Sequence, residues 1–97
     1  MKVVKLSHPN YEYDVHSLVK AFYAEDQVTV ITPETKPEKL AELEPQVSLE
    51  IELAETGAKI RVGEEDFLWD VEMETIADGY KNGLKRFLYR TLSKVTG

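Results

Sequence analysis

The chain has 97 residues, with 18 acidic and 12 basic side chains and a formal net charge of −6. This length predicts one domain with a single core. The absence of cysteine from the sequence excludes disulfides, thiolate metal sites and cysteine nucleophiles. The negative charge makes nucleic acid an unfavourable partner, because the average field of the protein repels phosphate. The first residues lack the apolar run of a signal peptide or membrane span, so we expect a cytoplasmic protein without membrane contact.

The first third of the chain predicts a strand, a helix and a second strand. Residues 2–7 form a short apolar strand that ends at a proline turn. Apolar residues then recur at helical spacing over 11–23, and Asn10 is the expected N-cap of this helix. The β-branched run over 27–32 predicts the second strand, so the three elements are compatible with a right-handed parallel unit.

A charged segment follows the second strand. Residues 33–46 contain three of the four prolines together with many Glu and Lys residues. Only Leu40, Ala41 and Leu43 are suited to packing against a core. We therefore predict a mobile, acidic, proline-rich loop with room for one helical turn.

The middle of the chain carries the pattern of a β-hairpin. Strict alternation of apolar and polar residues over 47–53 predicts a strand with one buried face. The residue pair 56–57 indicates a two-residue turn, which pairs Leu53 with Ile60 on the buried face. A slip of one residue would bury Arg61, so both faces favour this register.

The last third of the chain predicts a long helix. The pattern of residues 67–71 is compatible with a further short strand. Apolar or small residues then recur at helical spacing over 76–95, and Lys94 lies near the end of this helix, as the helix dipole favours. The acidic residues near its start are Glu72, Glu74 and Asp78.

Together these elements predict an α+β domain. Their order is β-α-β-β-β-α, with the strand over 67–71 as an addition. The simplest way to bury the apolar stripes is a two-layer arrangement, in which an antiparallel-dominated sheet of about four strands carries both helices on one face. The other face of the sheet is then polar.

The residue types that support catalysis or metal binding are poorly arranged in this sequence. No window has the ligand spacing of a calcium loop, and the two histidines lack a third ligand. Neither a glycine-rich phosphate loop nor a nucleophile elbow occurs. We therefore expect no catalytic residue, cofactor site or metal site here. A stand-alone enzyme would have to use a carboxylate pair such as Asp66 and Asp70.

The charges are segregated along the last third of the chain. Residues 64–78 hold seven acids and no base, whereas residues 79–97 hold five bases and no acid. The bases recur four residues apart and form a ridge on the exposed side of the predicted helix, suited to phosphate, RNA or an acidic partner. The plain alternative is a solvated helix face. The candidate contact residues are Lys85, Arg86, Tyr89, Arg90 and Lys94.

Three parts of the sequence together resemble the N-terminal region of HemZ-type proteins, which are radical SAM enzymes described as oxygen-independent coproporphyrinogen III oxidases. These parts are the helix ending LVKAFYAE at 18–25, the alternating hairpin, and the ending YKNGLKRFLYRTLSKVTG at 80–97. In that family the cluster-binding cysteines, spaced C-x-x-x-C-x-x-C, and the SAM-binding barrel lie further along the chain. The resemblance therefore implies that a 4Fe-4S cluster and S-adenosylmethionine belong to the C-terminal part of a longer protein.

The resemblance implies a role for residues 1–97 as a single, non-catalytic N-terminal accessory domain in haem biosynthesis. The partner would be the protein's own C-terminal catalytic domain, contacted through the basic ridge and Tyr89. No catalytic residue of the family transfers to this sequence. The alternative is a small stand-alone module that binds an anionic ligand or nucleic acid through the same helix.

Overall fold

The computed structural model describes residues 1–70 and 79–97. Its described residues form one mixed β-sheet with helices on both faces. The strands of the described residues are β1 (Lys2–Leu6), β2 (Val28–Ile31), β3 (Val47–Ala54), β4 (Gly57–Val62) and β5 (Glu65–Asp70). The helices are α1 (Glu12–Phe22), α2 (Pro37–Leu43), which runs into a 3-10 turn (Glu44–Gln46), and α3 (Tyr80–Thr96).

The sheet order is β2-β1-β3-β4-β5. Strand β1 is parallel to both of its neighbours, β2 and β3, whereas β3, β4 and β5 form an antiparallel meander. The α+β class is confirmed, and the predicted parallel unit of strand, helix and strand is present. Among the described strands, two pairings are parallel and two are antiparallel, so the sheet is mixed rather than dominated by antiparallel pairs. The strand left open over 67–71 is β5, and residue 71 lies outside the described residues.

The main core lies between the sheet and the pair α1 and α3, which contact each other. Alternate residues of each strand point to this face, as the pleat requires. Val4 of β1 therefore packs with Val15 and Val19 of α1 and with Leu88 of α3. The predicted apolar stripes of both helices are confirmed by this burial.

A second, smaller core lies on the opposite face of the sheet, under α2. Val3, the neighbour of Val4 along β1, points to this face and packs with Ile31 and with Leu43, which is 5% exposed. The segment 33–46, predicted as a loop with room for one helical turn, contains more helix than that, namely α2 and the 3-10 turn that follows it. Pro37 fits the helix, since it stands in the first turn, where no backbone N–H is needed.

The hairpin forms at the predicted place but in a different register. Ile60 pairs with Ile51, and Leu53 pairs with Ala58, so the pairing differs by two residues from the prediction. The turn is made by residues 55–56, and Gly57 belongs to β4. A shift of two residues keeps every side chain on its predicted face, which is why the burial pattern did not reveal it.

The start of α1 also differs from the sequence pattern. The N-cap of α1 is Tyr11, with φ 65°, and the Asn10 N–H donates to His8 Nδ1 at 3.2 Å instead of Asn10 capping the helix. Helix α3 is capped at its end by the Gly97 N–H, which donates to the Ser93 carbonyl. The acidic residues predicted near the start of the last helix, Glu72, Glu74 and Asp78, lie outside the described residues.

Candidate functional site

The basic residues of α3 divide between two sides of the helix. Lys85 Nζ lies 4.0 Å from a carboxylate oxygen of Asp14 on α1, and Lys81 Nζ lies 3.6 Å from the other oxygen. Arg90 and Lys94 instead line the side of α3 that faces β5. Of the five predicted contact residues, Lys85 is therefore oriented towards α1, and the other four line grooves on the molecular surface.

The first groove has a volume of about 380 Å³ and is lined by Trp69, Gly83, Arg86, Tyr89 and Arg90. Tyr89 is 59% exposed, which is unusual for a large aromatic side chain. Its ring meets Phe22 of α1 edge-on, with 5.3 Å between the ring centroids. This contact holds the Tyr89 ring in place while leaving most of its surface open to a partner.

A second groove, of about 270 Å³, continues along the same side of α3. The residues that line it are Asp66, Phe67, Leu68, Phe87, Arg90, Thr91 and Lys94. Arg90 lines both grooves, so they are adjacent. Leu68, on the edge strand β5, is 73% exposed. The two grooves thus combine an apolar border with cationic side chains.

The charge of this surface is decided by an ion pair on β4 and β5. Asp66 lines the second groove, but its two carboxylate oxygens accept hydrogen bonds from the Arg61 guanidinium at 2.8 and 3.2 Å. This pairing holds the pKa of Asp66 below its ordinary value. Arg90 and Lys94 make no ion pair with the part of the chain that the structure describes. The groove side of α3 therefore presents positive charge.

Of the carboxylate pair Asp66 and Asp70, Asp66 is held by the Arg61 guanidinium. Two carboxyl groups that share a proton raise the pKa of one of them, whereas the pKa of Asp66 is lowered by Arg61. An acid with a lowered pKa is a poor proton donor near neutral pH. Within the described residues, no three His, Asp or Glu side chains converge as metal ligands.

The described helices are too short or too polar to cross a membrane. No protein-family model matches this chain, and no curated protein matches it. The functional hypothesis for this chain rests on the surface formed by α3 and β5.

Sequence reasoning missed the contribution of β5 to this surface. Trp69 and Phe67 point to the helices, whereas Leu68 occupies a position where the alternation calls for a polar residue. An exposed leucine between two residues that face the core was a usable signal, because edge strands normally carry charge there. The pairing of Asp66 with Arg61 was less accessible, since it depends on the register of β4 and β5.

Proposed function

We propose that this chain is a non-catalytic accessory domain that binds a partner polypeptide in the grooves between α3 and β5. The partner proposed is the catalytic barrel of a radical SAM protein of the coproporphyrinogen III oxidase type, as the resemblance of the sequence implies. The observation that carries the docking proposal is the composition of the first groove. Trp69, Tyr89 and Arg90 belong to the three residue types that most often dominate the binding energy of protein interfaces.

A protein partner fits this surface better than a nucleic acid does. The ring of Trp69 already contacts the rings of Tyr80 and Phe87, and Tyr89 is held by Phe22. Among the described aromatic residues that line the grooves, Tyr89 alone is largely exposed, whereas single-stranded nucleic acids stack successive bases on several exposed rings. The net charge of −6 also opposes approach of a polyanion.

The cations give the docking surface a preference for acidic groups on the partner. Arg90 stands between the two grooves, next to the exposed Tyr89. An acidic side chain flanked by apolar ones would satisfy Arg90 while covering the neighbouring apolar area. Such a contact combines burial, which determines most of the affinity, with charge complementarity, which determines orientation.

The test is a titration calorimetry measurement with the catalytic region of a HemZ-type protein, produced as a separate polypeptide. The double variant Arg90→Glu and Lys94→Glu is expected to weaken association about 100-fold, because two attractive charges become repulsive at the centre of the contact. The matched control is Lys36→Glu with Lys39→Glu, which changes the net charge equally at exposed positions next to and within α2. This control is expected to bind like the unsubstituted chain.

Each other outcome identifies a different error. Equal affinity of both double variants would show that the grooves are not the contact. Absence of binding by the unsubstituted chain would contradict the proposed partner. Binding of single-stranded RNA that weakens steeply with salt and is lost in the Arg90→Glu, Lys94→Glu variant would replace the protein partner with a nucleic acid.

A further inference from the structure

The strand order creates a crevice that is separate from the docking surface. Strand β1 leads through α1 to β2 on one side, and β3 lies on its other side. The connection from β1 to β2 runs through α1 on one face of the sheet, and the connection from β2 to β3 runs through α2 on the other face. The carboxyl end of β3 leads into the hairpin with β4. In open sheets with parallel strands, crevices outside the carboxyl ends of the strands are common ligand sites.

A cavity occupies this position, next to the carboxyl ends of β1 and β3. Its volume is about 610 Å³, within the range of small-molecule sites. The described residues that line it are His8, Asn10, Tyr11, Leu53, Ala54, Glu55 and Tyr80. They come from the loop after β1, the end of β3 and the turn that follows it, and the first turn of α3.

Hydrogen bonds fix the loop that forms one wall. The Ser7 N–H donates to the Ile51 carbonyl at 3.0 Å, and Ser7 Oγ accepts from the Leu53 N–H at 2.9 Å. Both the backbone and the side chain of Ser7 therefore hold the loop after β1 against β3. The cavity wall is preformed, which lowers the entropy cost of binding.

The aromatic wall of the cavity is fixed as well. The rings of Tyr11 and Tyr80 contact each other, with 5.7 Å between their centroids. The Tyr80 hydroxyl donates to the Gly57 carbonyl at 2.7 Å, and this hydrogen bond fixes the orientation of the Tyr80 side chain. These two rings offer a planar ligand an aromatic surface of defined orientation.

The polar groups of the cavity select the chemistry of the ligand. His8 Nδ1 accepts the Asn10 N–H, so the neutral imidazole carries its proton on Nε2 and donates from there. Glu55 supplies a carboxylate acceptor, and Asn10 supplies an amide with both functions. Neither Lys nor Arg is among the described residues of the lining, so this part of the cavity wall offers no side-chain cation to a phosphate.

We propose that this crevice binds an uncharged, planar nitrogen heterocycle of nucleobase or nucleoside size. The ring stacks on Tyr11 and Tyr80, a ring nitrogen or carbonyl accepts from His8, and an exocyclic N–H donates to Glu55. This site is independent of the grooves between α3 and β5 and of the partner proposed there.

The test is a titration with adenosine, followed by ¹H–¹⁵N correlation spectra of the labelled chain. A dissociation constant of about 1 mM is expected, with amide shifts concentrated in residues 8–11 and 53–55. Tyr11→Gly removes one aromatic ring at a position whose positive φ suits glycine, so the substitution adds no backbone strain. Adenosine binding is expected to weaken about 10-fold in this variant.

A control and a second variant keep the result interpretable. Tyr13→Ala removes an 82% exposed tyrosine of α1 outside the cavity and is expected to leave adenosine binding unchanged. His8→Ala, in the exposed loop, is expected to weaken binding without altering the core. Unchanged affinity in both Tyr11→Gly and His8→Ala, shifts that map to α3 and β5, or no binding at about 10 mM adenosine would overturn the proposal. Tighter binding of adenosine monophosphate than of adenosine would overturn the uncharged class of ligand.

Discussion

At the scale of single residues, Gly57 is required by the neighbouring strand rather than by a turn. It pairs with Asp70 of β5, and a Cβ atom at this position would overlap the carbonyl oxygen of Trp69. Gly57→Ala therefore forces the backbones of β4 and β5 apart, and the free energy of unfolding is expected to fall by about 3 kcal/mol. Urea denaturation measures this loss.

Gly63→Ala provides the comparison for Gly57→Ala. Gly63 has φ 64° but an open environment, so alanine there adds only backbone strain, at a cost of about 1 kcal/mol. Equal losses for the two variants would contradict the steric role of Gly57. The register of the hairpin explains why the role was misassigned, because a glycine next to a turn is normally a turn residue.

Tyr80 links the pH dependence of stability to burial of its hydroxyl group. Burial raises the pKa of Tyr80 in the folded chain, whereas the tyrosine hydroxyl of the unfolded chain titrates at about pH 10. Above that pH the unfolded chain loses a proton that the folded chain keeps, so the free energy of unfolding declines as the pH rises. The full contribution of Tyr80 to the free energy of unfolding is therefore present at pH values below the pKa of Tyr80 in the unfolded chain. Burial raises the pKa of Tyr23 too, so it adds to the same decline.

Tyr80→Phe is expected to flatten the alkaline decline, which urea unfolding between pH 8 and pH 11 will measure. The variant should also lose about 1 kcal/mol at neutral pH, because the hydrogen bond to the Gly57 carbonyl is removed. Part of the decline remains through Tyr23. Tyr13→Phe, at an exposed position, is expected to keep the original slope. A Tyr80→Phe slope equal to that of the unsubstituted chain would refute the assignment.

At the scale of elements, α2 depends on tertiary contacts. A seven-residue helix is too short to be stable alone, and Leu43 connects α2 to Val3 and Ile31. Leu43→Ala is expected to lower the free energy of unfolding by about 3 kcal/mol. Glu42→Ala, at an exposed position of the same helix, is expected to change it little.

The same experiment tests whether the two cores unfold together. Val3 and Val4 are neighbours on β1 but belong to different cores, so β1 contributes to both cores and connects them. Circular dichroism reports all elements, whereas Trp69, the single tryptophan, reports the main core. Both signals should shift together in Leu43→Ala. A shift confined to circular dichroism would mean that α2 unfolds separately.

The elements with strong periodicity were predictable, and those that depend on a partner surface were not. The stripes of α1 and α3 repeat at helical spacing, so their existence and buried faces follow from the sequence. Helix α2 has only Leu40 and Leu43 to pack, and the surface that buries them comes from β1, β2 and β3. The basic ridge was predicted as a set, but Asp14 on α1 draws Lys85 away from it.

At the scale of the whole molecule, the strand order creates both proposed sites. Placing β1 between β2 and β3 opens the crevice at their carboxyl ends, and placing β5 at the edge forms the grooves with α3. Both surfaces contain residues that are distant in sequence. Trp69 and Tyr80 also contact each other, so the main core extends from one site to the other.

The sequence by itself determined which residues face the core, where most strands and helices lie, and how charge is divided along the chain. Those properties depend on local periodicity, which a chain carries at every position. The tertiary structure decided the strand order, the hairpin register, the burial of α2 and the neighbours of each cation. Those properties depend on which distant surfaces meet, since a shift of two residues or an exchange of sheet neighbours leaves the local pattern of polar and apolar residues unchanged.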